Sequence, residues 1–292
     1  MESGTTVMES KVSTFWLIKN AIVLDAKFLK NAKWNLVKKV YFLLLRDYLI
    51  IKHFFVKFKL GEASTKFMGQ EIYYDTKYGL AGYERMLSTH RNLLRVGKVN
   101  DVKVVVDIGA NVGFFSKVCR QLFKDSNIFA IEPVPQIFKC LQKNYKGDRK
   151  TKVFQLAISD SNGSAKMLFD PNFSSESIID KKGNTTVGIS TLDQFVKKQK
   201  IKTIDLLKID TETFEAHVLR KGKAALANTH YLLIEISLVE ENKNYTISSL
   251  LSLLYSEDFD FQLIAFRNFE DRGEGEIPTF DALFINRKFL RN

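Results

Sequence analysis

Residues 104–113 read Val-Val-Val-Asp-Ile-Gly-Ala-Asn-Val-Gly, and no other stretch of the chain restricts its fold as tightly. A β-branched run predicts a strand, Gly109 and Gly113 bracket a tight turn, and an amphipathic helix follows at once. Glycines at such a turn let backbone approach a ligand where a Cβ would block it, and the first amides of the helix point at whatever binds there. The acid before the glycines, Asp107, separates the ligand classes. A pyrophosphate disfavours a neighbouring carboxylate, whereas a ligand carrying an ammonium group favours one. A second apolar run, Asn127–Ile131, ends at Glu132-Pro133, which places an acid about 20 residues past the turn to accept both hydroxyls of a ribose. Together these features point to S-adenosylmethionine, a nucleoside with both an ammonium and a sulfonium. The ribose acid is shared with NAD-binding domains, so a nucleotide-dependent oxidoreductase is the alternative. It lacks the usual G-x-G-x-x-G, since Asn111 stands where a middle glycine would sit.

The text around this motif alternates regularly. Strands are predicted at 103–107, 127–132, 152–158, 203–209, 230–236, 259–266 and 280–286, and helices at 114–124, 135–146, 191–199, 212–226 and 244–256. Such alternation calls for an α/β fold, a mainly parallel sheet with helices on both faces. The last two strands have no helix between them and suit an antiparallel hairpin at one edge. Residues 163–190 break the rhythm, with an additional strand at Gly163–Phe169, a polar loop at Asp170–Gly183 and a return strand at Thr186–Ile189. Ahead of the first motif, a short strand (Gln70–Tyr74) and a helix around Tyr83–Arg95 are expected.

No Gly or Pro occurs between Gly4 and Gly61, which predicts one long helix or two in succession with a break near Asn31–Asn35. The expected division is an N-terminal basic helical extension, 1–68, and a catalytic domain, 69–292. The net charge of +11 is concentrated in the extension. Residues 11–60 hold eleven Lys or Arg against Asp25 and Asp47, a local balance of +9, while everything from Gly61 onward nets only +4. This argues for a local anionic partner and against a nucleic-acid groove across the molecule. The polar, acidic first ten residues are no secretory signal, and no run approaches the ~20 apolar residues of a membrane span. A basic helix with Phe15, Trp16 and Trp34 is suited to lie at an anionic membrane surface, or else to pack on the catalytic domain or a second subunit. Cys119 and Cys140 have no metal spacing and read as free thiols of a reducing compartment. The expected location is cytoplasmic, with peripheral membrane contact through the extension.

Taken as a whole the chain resembles the FkbM family of methyltransferases. The resemblance rests on 107–113, Ile-Glu-Pro (131–133), Ala-Ile-Ser-Asp (157–160), Thr-Leu-Asp (191–193), Lys-Ile-Asp-Thr-Glu-Thr-Phe-Glu (208–215), Val-Leu-Arg-Lys-Gly (218–222) and Ile-Glu (234–235). It covers roughly 80–286. It implies a class I methyltransferase, Rossmann-like fold and O-methylation of a sugar, glycolipid or natural-product hydroxyl. It also implies that Asp107, Gly109, Ala110, Asn111, Gly113 and Glu132 form the cofactor site, with Ala157 and Ile158 flanking the adenine. Thr213 stands where the family form has glycine, and a branched residue that avoids positive φ should tilt that turn or narrow the substrate mouth. A non-catalytic module of this fold, binding an anionic surface, is the third alternative.

Methyl transfer to a hydroxyl needs orientation and removal of a proton. Asp210 ends the predicted fourth strand, Glu212 follows it and Glu235 ends the fifth, so these three carboxylates are the candidate catalytic residues. Their convergence suits holding an acceptor hydroxyl, acting as a base, or binding a divalent metal through oxygen ligands. Asp210 and Glu212 also suit a helix N-terminus. His217 reads as an ordinary surface or core histidine, and His53, His90 and His230 form no metal spacing with the cysteines.

Overall fold

The computed structural model describes residues 14–57, 59–67, 69–76, 79–169, 178–179, 182–212, 214–238, 247–256, 259–267 and 279–290. Thr213 and most of the expected 170–183 loop lie outside them. The N-terminal part forms α1 (Thr14–Asn31), α2 (Leu36–Phe55), a hairpin of β1 (Ser64–Phe67) and β2 (Gln70–Tyr73), and then α3 (Ala81–Arg85), a π-helical turn (Met86–His90) and α4 (Arg91–Val96). Next come β3 (Val104–Ile108), α5 (Phe114–Leu122), β4 (Asn127–Ile131), α6 (Pro135–Asn144), β5 (Thr151–Phe154), β6 (Ala157–Ser159), β7 (Gly163–Leu168), β8 (Ile178–Ile179) and β9 (Thr185–Thr191). The chain continues with α7 (Leu192–Gln199), β10 (Ile204–Ile209), α8 (Glu215–Arg220), α9 (Lys223–Ala227), β11 (Thr229–Ser237), α10 (Ile247–Leu254), β12 (Phe261–Arg267) and β13 (Thr279–Asn286).

A seven-stranded sheet in the order β12-β13-β11-β10-β3-β4-β5 organises the molecule. The five strands from β11 to β5 are parallel, and β13 runs antiparallel to both of its neighbours. The α/β class, the parallel core and the antiparallel C-terminal edge are thus as the alternation predicts. The order reverses between β3 and β10, where an open α/β sheet offers a crevice at its carboxyl edge. The pleat sends successive side chains to opposite faces. Val106, Ile108, Leu207, Ile209, Leu232 and Ile234 pack on one side against the C-terminal helices. Val105, Leu206, Leu233 and Leu283 pack on the other, against Phe115 and Cys119 of α5 and Leu93 and Leu94 of α4.

Three expectations differ in detail. The helix expected over 212–226 is two short ones, α8 and α9, which part at Lys221-Gly222, where a Cβ on Gly222 would crowd Leu192 and the Val218 carbonyl. The run 152–158 is not one strand: β5 closes the main sheet, and after Gln155-Leu156 the chain moves to a second, four-stranded sheet of order β6-β9-β7-β8. Strand β1 went unread, and its hairpin with β2 straddles the expected boundary at residue 68. The break between the first two helices falls where the sequence placed it, with Asn35 capping α2 by accepting from the Lys38 amide. The inner faces of these helices join the core around the cavity: Phe28, Ala32, Phe42 and Leu49 pack with Tyr74, Leu80, Tyr83 and Phe114. Arg46, buried in α2, is paired to Asp25, Asp47 and the fully buried Glu84 of α3.

Candidate active site

A cavity of about 350 Å³ opens at the carboxyl ends of β3, β4 and β10. Gly109 builds its floor. Its φ is +74°, and a Cβ there would lie 1.7 Å from the Asp210 carbonyl oxygen, so only glycine lets the β3 and β10 turns meet. The Gly109 and Ala110 amides donate to the Ile131 carbonyl at 3.0 and 2.9 Å, pinning this turn to the end of β4. Asn111 takes a left-handed φ of 51°, and its side-chain oxygen accepts from the Val112 amide at 2.6 Å.

Glu132 lies on the cavity wall, 5% exposed. One carboxylate oxygen accepts from the Asn111 amide at 3.0 Å and the other from the Val134 amide at 2.8 Å. Burial pushes its pKa up to about 7, against the pull of those two amides. Ala157 and Ile158 of β6 also line the cavity, beside Leu156, Met167 and Phe114, and form an apolar wall.

The opposite character comes from one face of the sheet. Alternation along four strands puts Asp107 two residues after Val105, Lys208 after Leu206, Glu235 after Leu233 and Asp281 before Leu283, so the apolar face ends in a polar row. Lys208 is in register with Asp107, and Glu235 with Asp281. The buried Lys208 ammonium lies 2.8 Å from Asp210 Oδ2, 3.9 Å from Asp107 Oδ1 and 5.5 Å from the centre of the Phe115 ring. Burial works against this ammonium, but Asp210 and Asp107 outweigh it and hold its pKa above the usual lysine range. Asp210, Glu212 and Glu235 each offer a carboxylate oxygen, and these atoms lie within 4.8 Å of one another. Burial, then repulsion from Asp210 and Glu212, pushes Glu235 up to about 10.

Of the residues singled out in the sequence, Gly109, Ala110, Asn111, Glu132, Ala157, Ile158, Asp210, Glu212 and Glu235 all line this cavity. Asp107 and Gly113 stand behind its wall. The pleat turns the fully buried Asp107 toward α5, where it accepts from Ser116 Oγ at 2.6 Å; its Oδ1 lies 3.9 Å from the ammonium of Lys208, which lines the cavity. Gly113, with φ +87°, admits Tyr145 and Leu141, which its Cβ would meet at 2.4 and 2.7 Å. His217 pairs with Asp160 at 2.8 Å and stacks on Phe214, a ring that lines the cavity, but does not line it itself.

Sequence reading missed Lys208 and His90. Lys208 carries no signal of its own in the sequence, because its pairing with Asp107 exists only in the register. His90, at the end of the π-helical turn, lines the cavity with its Nε2 3.3 Å from Asp281 Oδ2. No spacing in the sequence connects those two. Cys119 and Cys140 are both free and buried.

The family profile described as the methyltransferase FkbM domain matches residues 107–263, which spans this cavity from Gly109 to Glu235. The chain belongs to the FkbM methyltransferase family. It is 27% identical over 160 residues to the hexuronic acid methyltransferase AglP of Haloferax volcanii, covering 53% of this chain and 64% of that protein. This chain therefore spans slightly less than two thirds of that relative. It is also 27% identical over 201 residues to the 2-O-methyltransferase NoeI of Sinorhizobium fredii, covering 61% of this chain and 80% of that one. Among solved structures it is similar to M. jannaschii TYW2 in complex with AdoMet, with a TM-score of 0.40 and 15% identity over 79% of this chain and 89% of that one. Membership in the FkbM methyltransferase family disfavours the oxidoreductase alternative.

Proposed function

We propose that this FkbM methyltransferase transfers a methyl group to a hydroxyl of a sugar, glycolipid or natural-product acceptor. The cavity residues fit S-adenosylmethionine. Glu132 is a buried acid positioned for two ribose hydroxyls, Ile158 and Ala157 belong to an apolar wall suited to adenine, and Gly109 lets the β3 and β10 turns meet at the cavity floor. We assign Gly109, Ala110, Asn111, Glu132, Ala157 and Ile158 to direct cofactor contact, with Asp107 and Gly113 supporting the turn from behind.

When bound, the cofactor supplies an electrophilic methyl on sulfur; its transfer forms an O–CH₃ bond, breaks the S–CH₃ bond, and leaves S-adenosylhomocysteine and a proton. The chain's own task is to orient the acceptor oxygen and take that proton. The meeting of Asp210, Glu212 and Glu235 within 4.8 Å in the same cavity as Glu132 is the observation that carries this reading. Asp210, anchored by Lys208, is assigned to acceptor orientation. Glu212 and Glu235 are assigned to the proton, because their carboxylate oxygens stand beside that of Asp210 in the same cavity. A divalent cation on the three oxygens is the second reading, favoured by their close approach, and loss of turnover in EDTA would select it.

The relatives act on a hexuronic acid and at a 2-hydroxyl by name, which directs the first acceptors to test. With isotopically labelled methyl donor, uronic acids and neutral sugars should yield a base-stable methyl ether. Asp210→Asn should reduce that product far more than it reduces cofactor affinity. A base-labile methyl ester, an N-methyl product, or parallel loss of binding and turnover would sink the assignment. We read 1–68 as a helical extension that covers the 69–292 domain, and the protein as cytoplasmic and peripheral to an anionic membrane through that extension.

A further inference from the structure

The outer face of α2 is apolar from end to end. Val37, Val40, Leu44, Tyr48, Ile51 and Phe55 follow one another at spacings of three and four, the repeat of a single helical stripe. All are exposed, Val37 at 78%, Leu44 at 64% and Phe55 at 79%. The stripe runs about 27 Å at 1.5 Å per residue. The opposite face is fully employed, with Phe42, Arg46 and Leu49 buried against the catalytic core. Folded proteins rarely leave so long a contiguous apolar face to water without a partner for it.

Charge selects the partner. Lys27, Lys30, Lys33, Lys52, Lys57 and Lys59 are exposed on and around α1 and α2. The acids of the two helices, Asp25 and Asp47, are both paired to Arg46. Lys52 follows Ile51 directly on α2 and Lys57 lies just past its end, so positive charge stands beside the C-terminal part of the stripe, while Lys59 nearby is paired to Glu62. A second copy docked isologously would bring a second set of these lysines to the same face. A surface of phosphates satisfies both the stripe and the charge beside it. No described helix is long and apolar enough to cross a membrane, so the geometry is that of a helix lying in the interfacial plane.

We propose that α2 docks on an anionic phospholipid surface, its apolar stripe at the headgroup–acyl boundary and its lysines on the phosphates. This deepens the peripheral reading above by naming the face that makes the contact. It also places the cavity one helix from the membrane: Leu49, on the inner face of α2, packs within 3.0 Å of where a Gly79 Cβ would stand, and Gly79 lines the cavity. A membrane-anchored acceptor is the class of substrate that such an arrangement serves.

The test uses the full chain and vesicles of phosphatidylcholine alone or mixed with phosphatidylserine. The parent should sediment with the mixed vesicles only, each lysine adding about fivefold to partitioning at low salt. The double variant Leu44→Asp/Ile51→Asp alters two exposed positions, so its melting temperature and cofactor binding should match the parent while its vesicle binding falls at least tenfold. If that variant sediments like the parent whereas Lys52→Glu/Lys57→Glu does not, the stripe assignment is overturned and the peripheral reading survives on charge alone. If the parent ignores both vesicle types, both fall. If the parent sediments as a dimer that Leu44→Asp/Ile51→Asp dissociates, with no vesicle binding, a second copy occupies the face and the proposal is wrong.

Discussion

Gly109→Ala is the most informative single perturbation of this site, because Gly109 belongs to the turn assigned to the cofactor and touches Asp210 at the end of β10. An alanine Cβ would stand 1.7 Å from the Asp210 carbonyl oxygen, where real Cβ contacts stay above 3.0 Å, so the two turns must separate by about 1.3 Å. The left-handed backbone costs an alanine roughly 1–2 kcal/mol. Overpacking against rigid backbone adds roughly 1–3 kcal/mol, and reduced freedom of the unfolded chain returns about 0.5 kcal/mol. The net loss is roughly 1.5–4.5 kcal/mol, or about 3–9 °C in melting temperature at ~2 °C per kcal/mol for a chain of this size. Gly147→Ala is the control. It has φ +90° but nothing within 4 Å of its Cβ, so it carries the backbone cost without the clash. Scanning fluorimetry should rank the parent above Gly147→Ala, and Gly147→Ala well above Gly109→Ala. Calorimetry with S-adenosylhomocysteine should show weakened binding in Gly109→Ala alone. Equal melting temperatures for the two variants, with parental affinity in both, would refute the claim that these turns meet at a glycine.

Further outcomes follow from the charged groups. Glu132→Gln replaces an acceptor with an amide and should weaken cofactor binding by roughly 10- to 100-fold, as befits 1.5–3 kcal/mol for a charged hydrogen bond. In the parent, affinity should fall as pH drops through about 7, where Glu132 protonates, and calorimetry of the variant should show no such dependence. Lys208→Met leaves Asp107 and Asp210 without their buried cation and should cost about 3–5 kcal/mol in denaturant unfolding; adding Asp107→Asn should recover part of it, as a double-mutant cycle would detect. Glu235→Gln should stabilise the protein increasingly with pH. The folded-state pKa of about 10 lies above the unfolded value, so the parent loses stability as pH rises toward 10 and the variant does not. Melting curves that differ equally at acid and alkaline pH would contradict that ordering.

Much of this architecture is legible in the text because β-branched runs, turn glycines and amphipathic helices each carry a local signal. Gly109 and Glu132 announce themselves by their distance from strand ends, and Asp210, Glu212 and Glu235 by theirs. What stays hidden depends on register. Whether Asp107 faces the crevice or α5 is decided by the pleat and by how β3 aligns with the turn after it, and the pairing with Lys208 arises only once β3 and β10 lie side by side. His90 meets Asp281, 191 positions further on, through the packing of a helix on the sheet. The break at Gln155-Leu156 separates two strands that sit in different sheets, yet hydropathy reads straight through it. The sequence suits the N-terminal helices to surface binding or to packing; their inner faces do pack, with Trp34 of the turn between them against Phe28, Phe42 and Phe67, and the stripe of α2 faces outward.

The most direct test is a crystal structure of the full chain with S-adenosylhomocysteine. The expected result places the ribose hydroxyls on the Glu132 carboxylate, the adenine against Ile158, and the sulfur facing the Asp210, Glu212 and Glu235 carboxylates. A ligand bound with its ribose away from Glu132, or with its sulfur turned from those three residues, would contradict the account.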